Sequence, residues 1–255
     1  MSVGPFHLYG YGAMIVLGGY LASLVLRRHA ARVGLKNDDD FWLLINVIFV
    51  GGFLGGRILY LFEYTAWFSR DFWATAFSLS RGFSVLGSFL GVPLGVWLFC
   101  RARGVKFLGL FDFVCVLAPF WHVFGRFGCL LAGCCHGRPT AASWGLVFRN
   151  PAAMVPQEWL GVPLYPTQLF EAAGNALIAF ALYRIWLKAD RNRPGLVAAL
   201  YFGSYGVLRF FSEFYRGDEL PSCVSFLTAG QLMSVGLVAV SAALLGWRDA
   251  CSRPS

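Results

Sequence analysis

The chain has 255 residues, of which 58% are hydrophobic, 17% aromatic and only 13% charged. A soluble domain carries about 25% charged residues, so this composition excludes a disordered chain, a fibrous repeat, a small disulfide scaffold and an ordinary cytosolic enzyme. The 21 Lys and Arg against 13 Asp and Glu give a net charge of +8, but these charges punctuate apolar runs instead of forming a basic face, which argues for membrane orientation and contact with membrane lipid, with no nucleic acid as partner.

A membrane-spanning helix needs about 20 apolar residues. Seven segments meet that requirement with soft boundaries: 6–26, 41–63, 83–100, 107–130, 166–187, 195–215 and 226–247. The first has no basic region ahead of it and no clear small-residue cleavage site after it, so it is expected to be a retained helix. Arg27-Arg28-His29 stops it, and Asp38-Asp39-Asp40 stand where they can cap the second. Residues 65–82 are aromatic but too polar to span. They read as an interfacial segment with Trp67 and Trp73 at headgroup level. Arg101-Ala102-Arg103-Gly104 closes the third segment, and Asp190 to Pro194 separates the fifth from the sixth. The stretch 131–165, with Pro139, Pro151, Pro156 and Pro163 among several glycines, reads as an irregular loop. The expected fold is an all-α integral membrane protein: a polytopic bundle of about seven transmembrane helices, one domain over residues 1–255, with an external irregular loop and interfacial segments.

Thirteen of the 21 Lys and Arg fall in the connections 27–40, 101–106, 184–193 and the C-terminal tail, against five in 65–82, 131–165 and 216–225. The positive-inside rule then puts the N-terminus outside, the C-terminus in the cytoplasm and the Pro/Gly loop on the exterior.

Ionisable residues inside spans are costly and mark function by default. Here they are Arg57, Asp112, His122, Arg126, Glu171, Arg209 and Glu213. Snorkelling or pairing that locks the bundle is the alternative for each. Tyr205, Arg209, Glu213 and Arg216 recur at i, i+4, i+8 and i+11, so a phenol, two guanidinium groups and a carboxylate share one helix face. A polar stripe on an apolar helix must face a polar interior. Gly125, Gly128, Gly133 and Gly137 are interleaved with Arg126 and Arg138. Glycine permits close backbone approach and arginine offers a fork for phosphate, so this run reads as a phospholipid headgroup site.

The seven cysteines are Cys100, Cys115, Cys129, Cys134, Cys135, Cys223 and Cys251. An odd number within apolar runs is not a disulfide framework. Cys129, Cys134, Cys135 and His136 lack the paired C-x2–4-C spacing of a zinc site, so no metal or other cofactor is expected, while a bound transition metal stays open as an alternative. A nucleophilic Cys134 with Arg126 or His136 lowering its pKa, and small side chains filling a turn, both stay open.

At these residues the chain resembles the bacterial prolipoprotein diacylglyceryl transferase family. Tyr11-Gly12-Ala13-Met14 is similar to its YGxM stretch, and Gly55-Gly56-Arg57-Ile58-Leu59-Tyr60 to its GARLxY segment. Gly82-Phe83-Ser84 through Gly91-Val92 is similar to GGMSFHGGLLGV. Gly125-Arg126-Phe127-Gly128 leads into the signature GRxGNFxNGExxG, with Gly133, Gly137 and Arg138 in step. Pro166-Thr167-Gln168-Leu169-Phe170-Glu171 resembles PSQLYE, Tyr205 to Arg216 resembles YGxxRFxxEFxR, and Gly230-Gln231-Leu232-Met233-Ser234 resembles GQxxS. The chain departs where the family has histidine at Leu86 and Tyr165, asparagine at Cys129 and Ala132, and glutamate at Cys134.

The resemblance implies an enzyme of the bacterial inner membrane. It would move a diacylglyceryl group from phosphatidylglycerol to the lipobox cysteine thiol of a prolipoprotein, which the enzyme meets as a signal-peptide substrate, and release glycerol phosphate. Arg126 and Arg209 suit the phosphate leaving group. Glu213 suits either a base or a support for Arg209, and His122 is a further base candidate. Tyr11, Arg57, Gly125, Gly128, Gly133, Gly137, Arg138, Gln168 and Tyr205 are implied in substrate binding. Cys129, Cys134, Cys135 and His136 occupy the place of the acceptor site or of a nucleophile. A relative with another acceptor, and a thiol-redox or lipid-binding membrane protein built on Cys134 and Cys135, remain alternatives.

Overall fold

A computed structural model describes residues 2–3, 6–7, 10–64, 70–76, 84–189, 194–218 and 227–252. Trp67, Gly82, Phe83, Asp190 and Cys223 lie outside them. The helices are α1 (Gly10–His29), α2 (Asp38–Tyr64), α3 (Arg70–Ala76), α4 (Val85–Arg103), α5 (Phe107–Ala132), α6 (Thr167–Lys188), α7 (Leu196–Glu213) and α8 (Ala229–Ser252). Every expected span holds a long helix. Four of them, in α1, α2, α5 and α8, are long and apolar enough to cross a membrane by length and composition. Polar residues set the others apart: Arg101 and Arg103 in the last turn of α4, Gln168, Glu171 and Asn175 in α6, Arg209 and Glu213 in α7. The interfacial segment contains the short α3, where Trp73 is half exposed.

By internal contacts the chain forms two compact units, residues 27–111 and residues 1–26 with 112–255. In the first, α2 packs along α4. Gly51 and Gly55 on α2 face Gly87 and Gly91 on α4, and a Cβ added at Gly87 would lie against the Gly55 carbonyl. Both helices thus carry the small-xxx-small spacing that lets membrane helices touch backbone to backbone. Ser88 Oγ adds a hydrogen bond to Gly52 O at 2.9 Å. Asn37, not Asp38, caps α2: its Oδ1 accepts from Asp40 N at 2.8 Å, and Asp40 Oδ2 accepts from Lys36 N at 3.1 Å. Asp40 is the residue whose side chain reaches back, as in a capping box.

In the second unit, α1 lies on α5, with Gly18 against Trp121 and Phe124 and Trp121 Nε1 donating to Ile15 O at 3.0 Å. Helix α7 packs on α6 and α8, and Ser241 Oγ donates to Ala199 O at 2.7 Å. Asp112, a charge within an apolar run, is a cap: its carboxylate accepts from Gly195 N at 2.7 Å and Ala198 N at 2.8 Å at the start of α7.

The stretch 131–165 is more ordered than expected. Strands β1 (Ser2–Val3) and β2 (Phe6–His7) pair near the N-terminus, and within the long connection β3 (Leu146–Val147) pairs antiparallel with β4 (Pro163–Leu164). A 3-10 turn over Gln157–Trp159 lies between them. An isolated bridge joins Gly137 to Arg216, and Arg138 N donates to Tyr215 O at 2.9 Å. The connection therefore ties the end of α5 and the start of α6 to the end of α7.

Candidate active site

Helix α6 supplies the centre. Thr167, Gln168, Glu171 and Asn175 recur at helical spacing and are at most 1% exposed. A carboxylate this buried demands positive partners, and Glu171 has three. Arg126 Nη2 from α5 lies 2.5 Å from Glu171 Oε2. Arg216 Nη1, just past α7, lies 3.3 Å from Glu171 Oε1, and Arg209 Nη1 lies 3.6 Å from it.

The polar stripe of α7 completes the cluster. Arg209 Nη1 also pairs with Glu213 Oε2 at 2.6 Å, one turn on, and Arg216 Nε stands 3.7 Å from the same oxygen. Glu213 Oε1 accepts from Thr228 Oγ1 at 2.9 Å. Arg216 Nη2 pairs with Asp218 at 2.8 Å at the edge. Three guanidinium groups surround two deeply buried carboxylates. The side chains of Arg126 and Arg209 keep 16% and 12% of their surface exposed, against 1% and 3% for Glu171 and Glu213. An approaching group therefore meets arginine first.

Tyr205 lies beside this cluster, hydrogen-bonded to Arg126. Its ring centre is 5.0 Å from that of His122 and it stacks on Tyr201. His122 lies near Asn175 and Arg126, which places it in the wall behind Arg126. Tyr11 of α1 packs over Gly128, where an added Cβ would stand 3.0 Å from the Tyr11 ring. Gly125 has only the tip of Ile15 nearby.

After α5 the chain turns in a Schellman cap. Gly133 takes φ +75° and Cys134 N bonds to Cys129 O at 3.1 Å. Cys135 also has positive φ, 54°. Gln168 Nε2 donates to Cys134 O at 2.9 Å and Thr167 Oγ1 to Cys135 O at 2.8 Å, so α6 holds both carbonyls. The sulfurs of Cys129, Cys134 and Cys135 lie within 4.8 Å of one another. Hydrogen bonds from the Cys129 and Cys134 thiols, with Arg126 and Arg216 beyond them, outweigh burial and hold the Cys135 thiol below its ordinary range.

His136, Gly137 and Arg138 follow. His136 is buried, with its ring edge-on to Trp159 at 5.4 Å between centres. An added Cβ at Gly137 would collide with Tyr165, so the bridge to Arg216 needs glycine there. Arg138 is exposed and its Nε donates to Arg216 O at 2.9 Å. Arg57 belongs to the other unit, where it donates to Thr75 O and lies 5.9 Å from the centre of the Tyr60 ring.

Residues 1–247 match the family described as prolipoprotein diacylglyceryl transferase. A phosphatidylglycerol–prolipoprotein diacylglyceryl transferase of Clostridium tetani is 35% identical over 228 residues, 89% of this chain and 88% of that protein. The protein of the same name from Solidesulfovibrio magneticus is 34% identical over 261 residues, 97% of this chain and 93% of its own. One from Neisseria gonorrhoeae is 35% identical over 267 residues, covering 93% and 90%. The chain belongs to the prolipoprotein diacylglyceryl transferase family.

Two members of this transferase's charge cluster were underrated by sequence. The sequence places Glu171 among the charges inside spans and Arg216 on the α7 stripe, but neither stands among its candidate site residues. The signal for Glu171 was present in Gln168 to Glu171, since a glutamine and a glutamate three apart on an apolar helix must both be satisfied inside. Of the departures from the family pattern, Tyr165 sits edge-on to Tyr215 at 5.3 Å and Leu86 is 40% exposed in the other unit. Cys129 and Cys134 lie together with Cys135.

Proposed function

We propose that the chain transfers a diacylglyceryl group from phosphatidylglycerol to the thiol of a lipobox cysteine in a prolipoprotein, releasing glycerol phosphate. The observation that carries this reading is the convergence of Arg126, Arg209 and Arg216 on Glu171 and Glu213, with the arginines at the more exposed side.

Arg216 is also paired with Asp218, so the cluster is balanced in charge, and a phosphodiester meets the guanidinium donors of Arg126 and Arg209 on its more exposed side. During the reaction a C–S bond forms between the cysteine sulfur and the glyceryl carbon, and the C–O bond to phosphate breaks. Negative charge then grows on the departing phosphate. Donors already aimed at that charge in a low-dielectric site stabilise the transition state more than the ground state. Glu171 and Glu213 hold Arg126 and Arg209 in place before substrate arrives. Glu213 is engaged by Arg209 and Thr228, which supports its role in positioning. Tyr205, through Arg126, completes the headgroup subsite. Gly125 and Gly128 keep side-chain bulk from beside Arg126, and Tyr11 packs on the second of them. His136, Gly137 and Arg138 hold the loop against the end of α7.

The acceptor enters as a signal peptide from the exterior face. The chain is a multi-pass protein of the bacterial inner membrane with its N-terminus outside and its C-terminus in the cytoplasm, as the distribution of Lys and Arg supports.

The test is complementation of a bacterial strain depleted of its own transferase, together with thioether formation from labelled phosphatidylglycerol and a lipobox peptide in proteoliposomes. Rescue by the wild-type chain that is lost in Arg126→Ala and Arg209→Ala is expected. Good membrane expression without rescue or thioether product would overturn the reading.

A further inference from the structure

Cys129, Cys134 and Cys135 have no place in the phosphate chemistry above, yet the fold goes to some length to gather them. The Schellman cap places Cys134 at the position whose side chain meets the residue five before it, which is Cys129. Cys135 is the only non-glycine residue with positive φ among the described residues. Holding a non-glycine residue there is strained and persists only where the surroundings enforce it. Here Gln168 and Thr167 enforce it by binding the Cys134 and Cys135 carbonyls. As a result three sulfurs that sequence spacing would not group stand within 4.8 Å of one another.

We propose that Cys129, Cys134 and Cys135 form a three-thiolate site for one soft d10 metal ion, Zn2+ or Cu+, with one coordination position left open toward the acceptor thiol. A Zn–S bond of about 2.3 Å sets ligand sulfurs about 4 Å apart, so the observed cluster needs little adjustment. Thiolate ligands select these ions over harder ones. Three thiolates leave one net negative charge on Zn2+ and two on Cu+, and Arg126 and Arg216 face Cys135 on the side of that charge. Gln168 and Thr167 act on the ligands' backbone and fix their orientation, as outer-shell groups of metal sites do. A disulfide would join two of the sulfurs and strand the third, and the adjacent pair would be strained.

Three protein ligands with an open fourth position is the arrangement of a reactive rather than a closed structural site. Cys134 and Cys135 are half-buried, not sealed, and Arg126 lies beside both the trio and Glu171. An incoming thiol that binds the ion loses its S–H proton to water and becomes a thiolate held next to the phosphate site. This half of the proposal rests on the transferase reading. It also supplies what Leu86 and Tyr165 do not, since neither can act as an imidazole base.

The test uses the full chain in detergent, reduced, stripped with chelator and titrated with Cd2+. A thiolate-to-metal charge-transfer absorption saturating at one ion per chain is expected. It should disappear in Cys129→Ser, Cys134→Ser and Cys135→Ser, each checked for monodisperse elution, and persist in Cys100→Ser and Cys115→Ser. In the wild-type chain the ion should shield those three thiols, and only those, from alkylation read by mass spectrometry. Absence of the absorption, or a disulfide mapped within the trio in protein taken directly from membranes, would overturn the site. X-ray absorption of the Zn2+-loaded chain should show three sulfurs and one lighter donor, becoming four sulfurs when a lipobox peptide is bound. Three sulfurs unchanged with the peptide crosslinked in place would overturn the open position. A chain that rescues the depleted strain but gives no absorption loses this inference and keeps the transferase reading.

Discussion

Arg126 and Glu171 meet at 2.5 Å between α5 and α6, and this contact organises the charge cluster of the transferase. Glu171 is 1% exposed and answers three guanidinium groups from two directions. A carboxylate in that position is less a reagent than the counter-charge that allows several cations to be stored side by side.

Glu171→Ala should therefore damage the fold before it damages chemistry. Removing one partner of a buried ionic network costs about 3–5 kcal/mol, because the remaining charges are left uncompensated. Thermal unfolding in detergent should show a clearly lowered midpoint. Glu171→Gln, which keeps the shape, should lie between wild type and alanine.

Arg209→Lys tests whether geometry or charge matters. Arg209 Nη1 alone reaches both Glu213 and Glu171, leaving the rest of the fork for a ligand. A lysine offers one point charge. Transfer from labelled phosphatidylglycerol should fall by roughly 100- to 1000-fold, as for loss of one transition-state donor, with folding largely intact. Near-wild-type turnover would argue against a fork-specific role.

Tyr205→Phe removes a phenol bonded to Arg126 while keeping the ring against His122 and Tyr201. A hydrogen bond to a charged group contributes about 1.5–3 kcal/mol, so kcat/KM should drop roughly 10- to 100-fold. The unfolding midpoint should move little, which separates it from Glu171→Ala.

Gln168→Leu leaves the Cys134 carbonyl without its donor. A buried unsatisfied acceptor costs about 1–3 kcal/mol. The loop after α5 should become more susceptible to limited proteolysis, and metal uptake by the three cysteines should weaken.

Gly87→Val addresses the other unit. Its Cβ would run into the backbone at Gly55, and overpacking costs at least about 1–3 kcal/mol. The yield of monodisperse protein should fall. Gly109→Ala, whose Cβ would meet nothing within 4 Å, should leave the yield unchanged.

Among the described residues the positions of the long helices were legible from hydropathy, and four of them are long and apolar enough to span, because a span must be apolar for about 20 residues and is closed by charge. The stripe of Tyr205, Arg209, Glu213 and Arg216 was equally legible, since helical periodicity alone puts these residues on one face. The backbone contact of α2 with α4 was written in the two Gly-xxx-Gly spacings, but pairing them required knowing which helices are neighbours. Asp112 shows the limit most simply. As a charge inside a span it reads equally well as functional or as internal pairing, and only the fold reveals the two amide groups 83 and 86 residues away that it caps.

The sequence by itself determined the solvent the protein lives in, the positions of the long helices among the described residues and the family, because composition and local period are properties of the chain. Tertiary structure decided that Glu171 is the hub, that Arg138 clamps a loop, and that three cysteines with no recognisable spacing share one spot. Those facts depend on contacts between α5, α6 and α7 and on a loop held by long-range hydrogen bonds. Long-range pairing leaves no periodic trace in sequence, so only the folded chain could bring it out.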